Sequence, residues 1–207
     1  MDPITAKKLM PAVVIDQADL ALPLAETLLA AGMNVIEITF RTAAAEDAIR
    51  GIAKRFPEML LGAGTLLTVE QVNRACDAGA TFGVAPGLSA AVVRAGQARG
   101  MKMIPGVATP SEVTLGIELG CKLLKFFPAD ACGGIKTLKA LGGAFGHTGV
   151  RFMPTGGIDA NNLRDYLALP IVAAVGGSWM VEKSLIATKN WKQIDLLTRE
   201  ALAAANG

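Results

Sequence analysis

The chain has 207 residues, 52% hydrophobic and 18% charged, with a formal net charge of +2, which suits one well-cored globular domain spanning residues 1–207. The charge is too small, and the basic residues too scattered, for a nucleic-acid or membrane-surface partner, whereas a small anionic ligand remains compatible. Cys76, Cys121 and Cys132 form neither a CxxC pair nor an even framework, which argues against disulfides and structural zinc and suits a reducing cytoplasm.

The segment Met1-Asp2-Pro3-Ile4-Thr5-Ala6-Lys7-Lys8 lacks the charged-then-apolar order of a signal peptide. No apolar run approaches the ~18 residues of a spanning helix. Beyond it, short apolar runs rich in β-branched residues recur at a near-constant interval, separated by Ala-rich segments of helical periodicity. In chain order, strand 12–15 precedes helix 20–31, strand 35–39 precedes helix 44–55, and strand 59–64 precedes helix 69–78. Strand 82–85 then leads to helix 90–99, strand 103–106 to helix 110–119, strand 123–127 to helix 135–141, and strand 152–154 to helix 161–167, with 173–175 as the eighth strand. Thr68 and Asp159 stand where helix caps belong, and Gly32, Gly79, Gly100 and Gly120 stand where helices should stop. Strands that are nearly all apolar need both faces covered, so eight of them alternating with helices predict an α/β fold closed into a (β/α)8 TIM barrel. A doubly wound open sheet is the structural rival.

In such a barrel the chemistry lies at the C-terminal ends of the strands, so polar residues there are the candidates. Glu37 interrupts Val35-Ile36-Glu37-Ile38-Thr39 and shares a face with Val35 and Thr39. It reads either as a general acid/base or as half of a buried ion pair. Arg41, at the mouth of the same strand, can grip a carboxylate with two parallel bonds, although a surface arginine fits the position too. Thr65 closes Gly62-Ala63-Gly64-Thr65 and can bond the same carboxylate or cap the next helix. Lys125 sits inside the apolar run Leu123-Leu124-Lys125-Phe126-Phe127, and alternation turns it inward if Leu124 and Phe126 meet the helices. A buried lysine is pushed toward the neutral amine that nucleophilic attack requires; the alternative is a strand-end lysine snorkelling to water. Glycine turns follow the last two strands, Pro154-Thr155-Gly156-Gly157 and Gly176-Gly177-Ser178, where backbone N–H groups can hold a phosphate. His147, the only histidine, lies in a glycine-rich loop and reads as solvated; no second histidine or acidic cluster accompanies it for a catalytic metal. Trp179 and Trp191 are expected to pack the closing helices.

Taken in order, Val35-Ile36-Glu37-Ile38-Thr39-Phe40-Arg41-Thr42, Gly62-Ala63-Gly64-Thr65, Ala85-Pro86-Gly87, Ile104-Pro105-Gly106, Lys125-Phe126-Phe127-Pro128-Ala129, Pro154-Thr155-Gly156-Gly157-Ile158 and Gly176-Gly177-Ser178-Trp179 resemble bacterial 2-keto-3-deoxy-6-phosphogluconate (KDPG) aldolases almost end to end. The resemblance implies Lys125 as Schiff-base nucleophile, Glu37 as general acid/base, and Arg41 with Thr65 on the pyruvyl carboxylate. It implies Pro86 and Phe127 as apolar contacts of the pyruvyl unit, and Thr155, Gly156, Gly157, Gly177 and Ser178 around the phosphate and sugar hydroxyls. It further implies a homotrimer that needs no metal or cofactor, acting on a phosphorylated keto acid at the last step of the Entner–Doudoroff pathway. The sequence departs from many relatives in reading Val14-Ile15-Asp16 where they carry a basic residue at the end of the first strand.

Three other readings compete. The same chemistry serves the galactonate epimer or 4-hydroxy-2-oxoglutarate, although Thr155 favours the gluconate form because the galactonate branch tends to be apolar there. A phosphosugar isomerase or epimerase would use the glycine turns without an imine-forming lysine. A silent binding protein would merely pair Lys125 with Glu37.

Overall fold

Nearly every strand residue is buried, and the helices between the strands supply the cover. The computed structural model describes residues 2–207. Its first half runs β1 (Leu9–Val13), α1 (Ala21–Ala30), β2 (Val35–Thr39), α2 (Ala45–Arg55), β3 (Leu60–Gly64), α3 (Val69–Ala78), β4 (Phe82–Val84) and α4 (Ala90–Ala98). The second half runs β5 (Lys102–Ile104), β6 (Gly106–Val107), α5 (Pro110–Glu118), β7 (Leu123–Phe126), α6 (Gly134–Phe145), β8 (Arg151–Pro154), α7 (Leu163–Leu167), β9 (Val175–Gly177), α8 (Lys183–Ala187) and α9 (Trp191–Asn206). Every pairing between strands is parallel. One sheet has six strands in the order β5-β4-β3-β2-β1-β9, and a second has three in the order β6-β7-β8. The fold is therefore α/β with parallel sheets, as expected.

The two sheets touch at both ends. Residues 102–107 pass from one to the other at Pro105, which has no N–H to donate to a ladder. Met103 pairs with Gly83, whereas Gly106 pairs with Lys125, and the Pro105 carbonyl accepts the Lys125 N–H at 2.9 Å. The single strand expected over 103–106 is thus two short ones. At the other end, single bridges join Phe152 to Val172 and Thr155 to Gly176.

Several boundaries shift relative to the expectation, chiefly at β1, at β9 and at the end of α6, which runs to Phe145 instead of residue 141. β1 starts at Leu9 instead of residue 12, because Leu9 and Met10 are fully buried and pair with Val175 and Gly176. β9 ends on Gly176 and Gly177, residues that read as a turn but complete that ladder. Thr68 caps as read, accepting from the Gln71 N–H in a reciprocal capping box, whereas Asp159 does not cap α7: the N-cap is Asn162, and Asp159 accepts the Asn161 N–H in the turn before it. Gly32, Gly79, Gly100 and Gly120 all take the left-handed backbone that ends a helix. Trp179 and Trp191 pack half-buried against the core, and His147 is exposed in a single 3-10 turn.

Leu124, Phe126 and Phe152 are fully buried in the core. With Leu124 and Phe126 spent on that contact, the pleat leaves Lys125 on the opposite face of β7.

Candidate active site

A cavity of about 250 Å³ opens at the C-terminal ends of the strands. β1 gives it Ala12 with Val14 just beyond, and β2 gives it Glu37, Thr39 and Arg41. Thr65 follows β3 and Pro86 follows β4; β7 and the residue after it contribute Lys125 and Phe127. Thr155 and Gly156 after β8, and Gly177 and Ser178 at the end of β9, complete the rim. A larger cavity of about 590 Å³ lies at the other end, near the first residues of β7 and β8, and is lined by Lys8, Lys122 and Arg151. Nothing there pairs a buried amine with a buried carboxylate among the described residues, so the smaller cavity is the candidate site.

Lys125 Nζ stands 3.8 Å from Glu37 Oε1, with side-chain exposures of 8% and 1%. That is close enough for electrostatic pairing in a poorly screened interior and too long for a direct hydrogen bond; a water or substrate oxygen bonded to both would sit beside the line that joins them. Glu37 Oε1 is buried and accepts no hydrogen bond among the described residues. A buried acceptor without a partner is costly, and the atom faces the one amine in the cavity. Gly64 makes room for it: a Cβ there would fall 2.0 Å from Glu37 Oε1. The Gly62-Ala63-Gly64-Thr65 motif is therefore partly a device of the neighbouring strand, since Thr39 and Gly64 are paired positions. Thr39, on the Glu37 face, donates its hydroxyl to the Val13 carbonyl at 2.8 Å, which ties β2 to β1 beside the carboxylate.

Lys125 Nζ also lies 5.2 Å from the centroid of the Phe127 ring, a cation–π distance. The Phe127–Pro128 peptide is cis. Arg41 is exposed at the mouth and forms no ion pair with the acidic side chains among the described residues. Thr65 holds a left-handed backbone at φ 57°, uncommon for a non-glycine residue. It is not the helix cap, a role that belongs to Thr68, so its hydroxyl is available to the cavity.

At the far end, Thr155 is 8% exposed, and its hydroxyl makes only a long 3.4 Å contact with its near neighbour Met153. Gly156 and Gly157 are both left-handed, at φ 98° and 76°. Of the eleven residues singled out in the sequence, Gly157 alone does not line the cavity; it packs its Cα face toward Asp130, where a Cβ would fall 2.4 Å from the Asp130 Cβ. Conversely, Ala12, Val14 and Thr39 line it without having been singled out. Ala12 and Val14 lie within the expected strand 12–15 but carry no polar atom to mark them; their alternation with buried Val13 and Ile15 was the available signal. Asp16, just past β1, forms a half-exposed pair with Lys183 at 2.8 Å.

Residues 2–197 match the family profile described as KDPG and KHG aldolase. A 2-dehydro-3-deoxy-phosphogluconate aldolase of Haemophilus influenzae is 47% identical over 195 residues, covering 94% of this chain and 91% of its own. A KHG/KDPG aldolase of Escherichia coli K12 is 44% identical over 202 residues, covering 98% and 94%. A KDPG aldolase of Legionella pneumophila, solved with pyruvate captured at low pH as a covalent carbinolamine intermediate, superposes with a TM-score of 0.92 at 43% identity, covering 96% of this chain and 95% of that one. No helix among the described residues is long and apolar enough to cross a membrane.

Proposed function

The chain belongs to the KDPG and KHG aldolase family, and we propose that Lys125 is its Schiff-base nucleophile and Glu37 its general acid/base. It is an aldehyde-lyase that cleaves 2-keto-3-deoxy-6-phosphogluconate to pyruvate and glyceraldehyde 3-phosphate. The observation that carries the residue assignment is the buried amine 3.8 Å from a buried carboxylate, in one cavity with an arginine that has no ion pair among the described residues.

Lys125 Nζ attacks the C2 ketone, and the resulting carbinolamine loses water to give the imine. Glu37, 3.8 Å from the amine, supplies and recovers the protons through a water or substrate oxygen bonded to both groups. Removal of the C4 hydroxyl proton breaks the C3–C4 bond, releases the aldehyde and leaves the electron pair in the enamine. Protonation at C3 and hydrolysis then free pyruvate and regenerate the amine. Arg41 and Thr65 hold the carboxylate so that C2 meets the amine, with Pro86 and Phe127 flanking the pyruvyl unit. Thr155, Gly156, Gly177 and Ser178 receive the hydroxyls and phosphate, and Gly157 shapes that turn from behind. A polar Thr155 suits the gluconate substrate, with 4-hydroxy-2-oxoglutarate as a second one.

The two sheets read as one closed (β/α)8 barrel if residues 102–107 count as a single bent strand and the bridges of Thr155 and Phe152 as its last seam. The chain is then a single domain of residues 1–207. A homotrimer is supported by exposed Leu67 and Val69, 58% and 42% accessible, where a subunit contact would remove apolar surface. Three free cysteines support a cytoplasmic location.

The test is incubation with pyruvate and sodium borohydride, followed by intact-mass and peptide mass spectrometry, with Lys125→Ala alongside. A reduced pyruvyl adduct on Lys125, absent from the variant, is expected. An adduct on another lysine, or none in folded protein, would remove Lys125 from its role.

A further inference from the structure

We infer that Asn162, which lies outside the cavity, is a positioning residue that aims the phosphate turn. The inference rests on the reading above that the turn at Thr155-Gly156-Gly157 receives the substrate phosphate. Three successive carbonyls of that turn are each held by a donor. Thr155 O accepts from the Ala129 N–H at 2.8 Å, and Gly156 O from the Asp130 N–H at 3.1 Å. Gly157 O accepts from Asn162 Nδ2 at 2.8 Å.

In a planar trans peptide the N–H points away from its carbonyl, so fixing the oxygen fixes the direction of the hydrogen. The peptides here are trans, the only cis bond among the described residues being Phe127–Pro128. The hydrogens so aimed belong to Gly156, Gly157 and Ile158; the Gly156 N–H faces the Gly176 carbonyl in the bridge of Thr155 to Gly176, and neither Gly157 nor Ile158 donates a hydrogen bond among the described residues. Two consecutive left-handed glycines, with the free amides of Gly157 and Ile158, make the kind of concavity that takes an anion. Two of the three anchors are main chain to main chain. Asn162 is the only side chain among them, and it fixes the Gly157–Ile158 peptide.

Its amide is itself held in one orientation. Asn162 Oδ1 accepts the Asp159 N–H at 3.0 Å, so Nδ2 is turned to the Gly157 carbonyl. Asp159 Oδ1 accepts the Asn161 N–H at 2.8 Å, which closes the loop between the turn and the start of α7. An asparagine does both tasks because it carries a donor and an acceptor on one short planar group. Aspartate keeps the acceptor and would set a carboxylate oxygen against the Gly157 carbonyl.

The experiment compares wild type, Asn162→Ala and Asn162→Asp in the condensation direction, with pyruvate and either glyceraldehyde 3-phosphate or unphosphorylated glyceraldehyde. Borohydride trapping of pyruvate on Lys125 and a thermal melt serve as controls. We expect the KM for glyceraldehyde 3-phosphate to rise about fivefold to tenfold in both variants, as for loss of one hydrogen bond, with kcat within about twofold. Pyruvate trapping and the reaction with glyceraldehyde should be unchanged. A wild-type preference for the phosphorylated aldehyde that survives intact in both variants overturns the role of Asn162 and leaves the phosphate assignment standing. Parallel losses with both aldehydes and in trapping overturn it in favour of general support of the fold. A wild type without that preference removes the phosphate assignment and the inference with it.

Discussion

Gly64→Ala tests the proton-transfer assignment without touching either reacting group. The backbone at Gly64 lies outside the left-handed region, so alanine is acceptable to the main chain there. The added methyl is not acceptable to Glu37: it would sit 2.0 Å from Oε1, 2.6 Å from Cδ and 2.7 Å from Cγ, where an ordinary contact is 3.4 Å or more. The carboxylate has to retreat by more than about 1 Å, a misplacement that costs on the order of 10²-fold in rate when it befalls a catalytic group. We expect kcat to fall about 10²-fold, followed as pyruvate release coupled to lactate dehydrogenase, while the protein stays folded. Glu37→Gln alone is expected to cost about 10²-fold or more. Because both changes disable one group, the double variant Gly64→Ala/Glu37→Gln should lose little beyond Glu37→Gln. Turnover within twofold of wild type in Gly64→Ala, or losses that multiply in the double variant, would refute the reasoning.

Arg41→Ala should raise the KM for the keto acid about 10–100-fold, the worth of a charge-assisted bond of about 1.5–3 kcal/mol. Its melting temperature should stay put, since the side chain is exposed and holds no ion pair among the described residues; a large stability loss with unchanged KM would assign Arg41 to structure instead. Glu112 Oε2 accepts from the Ala108 N–H at 2.8 Å and, at 2.9 Å each, from the Thr109 N–H and hydroxyl. These bonds, the Ala108 amide first, hold its carboxyl below the usual glutamate range. A depressed carboxyl stabilises the fold at pH values above its unfolded pKa, and that contribution fades as pH falls through the lowered folded value. Glu112→Ala should therefore cost about 1 kcal/mol near neutral pH, and the gap from wild type should close in acid; a gap independent of pH by calorimetry would count against the capping account.

The rhythm of apolar strands and capped helices was legible because each element carries its own punctuation: Thr68 opens α3 and the left-handed Gly79 closes it. Lys125 and Glu37 were legible for the opposite reason, as charges set into runs where charge is expensive. Strand ends were less so. Leu9 and Met10 sit behind Lys8 and before Pro11, and only pairing with β9 shows them to be strand. The break at Pro105 depends on two partner strands that no local pattern reveals. Ala12 and Val14 carry no polar atom that would flag a site, and Asn162 acts across a turn, so its partner is visible only in three dimensions.

The amine and the carboxylate stand on β7 and β2, each hydrogen-bonded between two neighbouring strands, whereas the phosphate end rests on a turn held by three bonds. Substitutions that reshape the turn leave the ladders that register Lys125 and Glu37 intact. Variation can thus explore new aldehyde tails while the carbon–carbon step is preserved, and a library aimed at substrate range belongs at residues 155–162 and at Ser178, with the strands, Gly177 included, kept fixed.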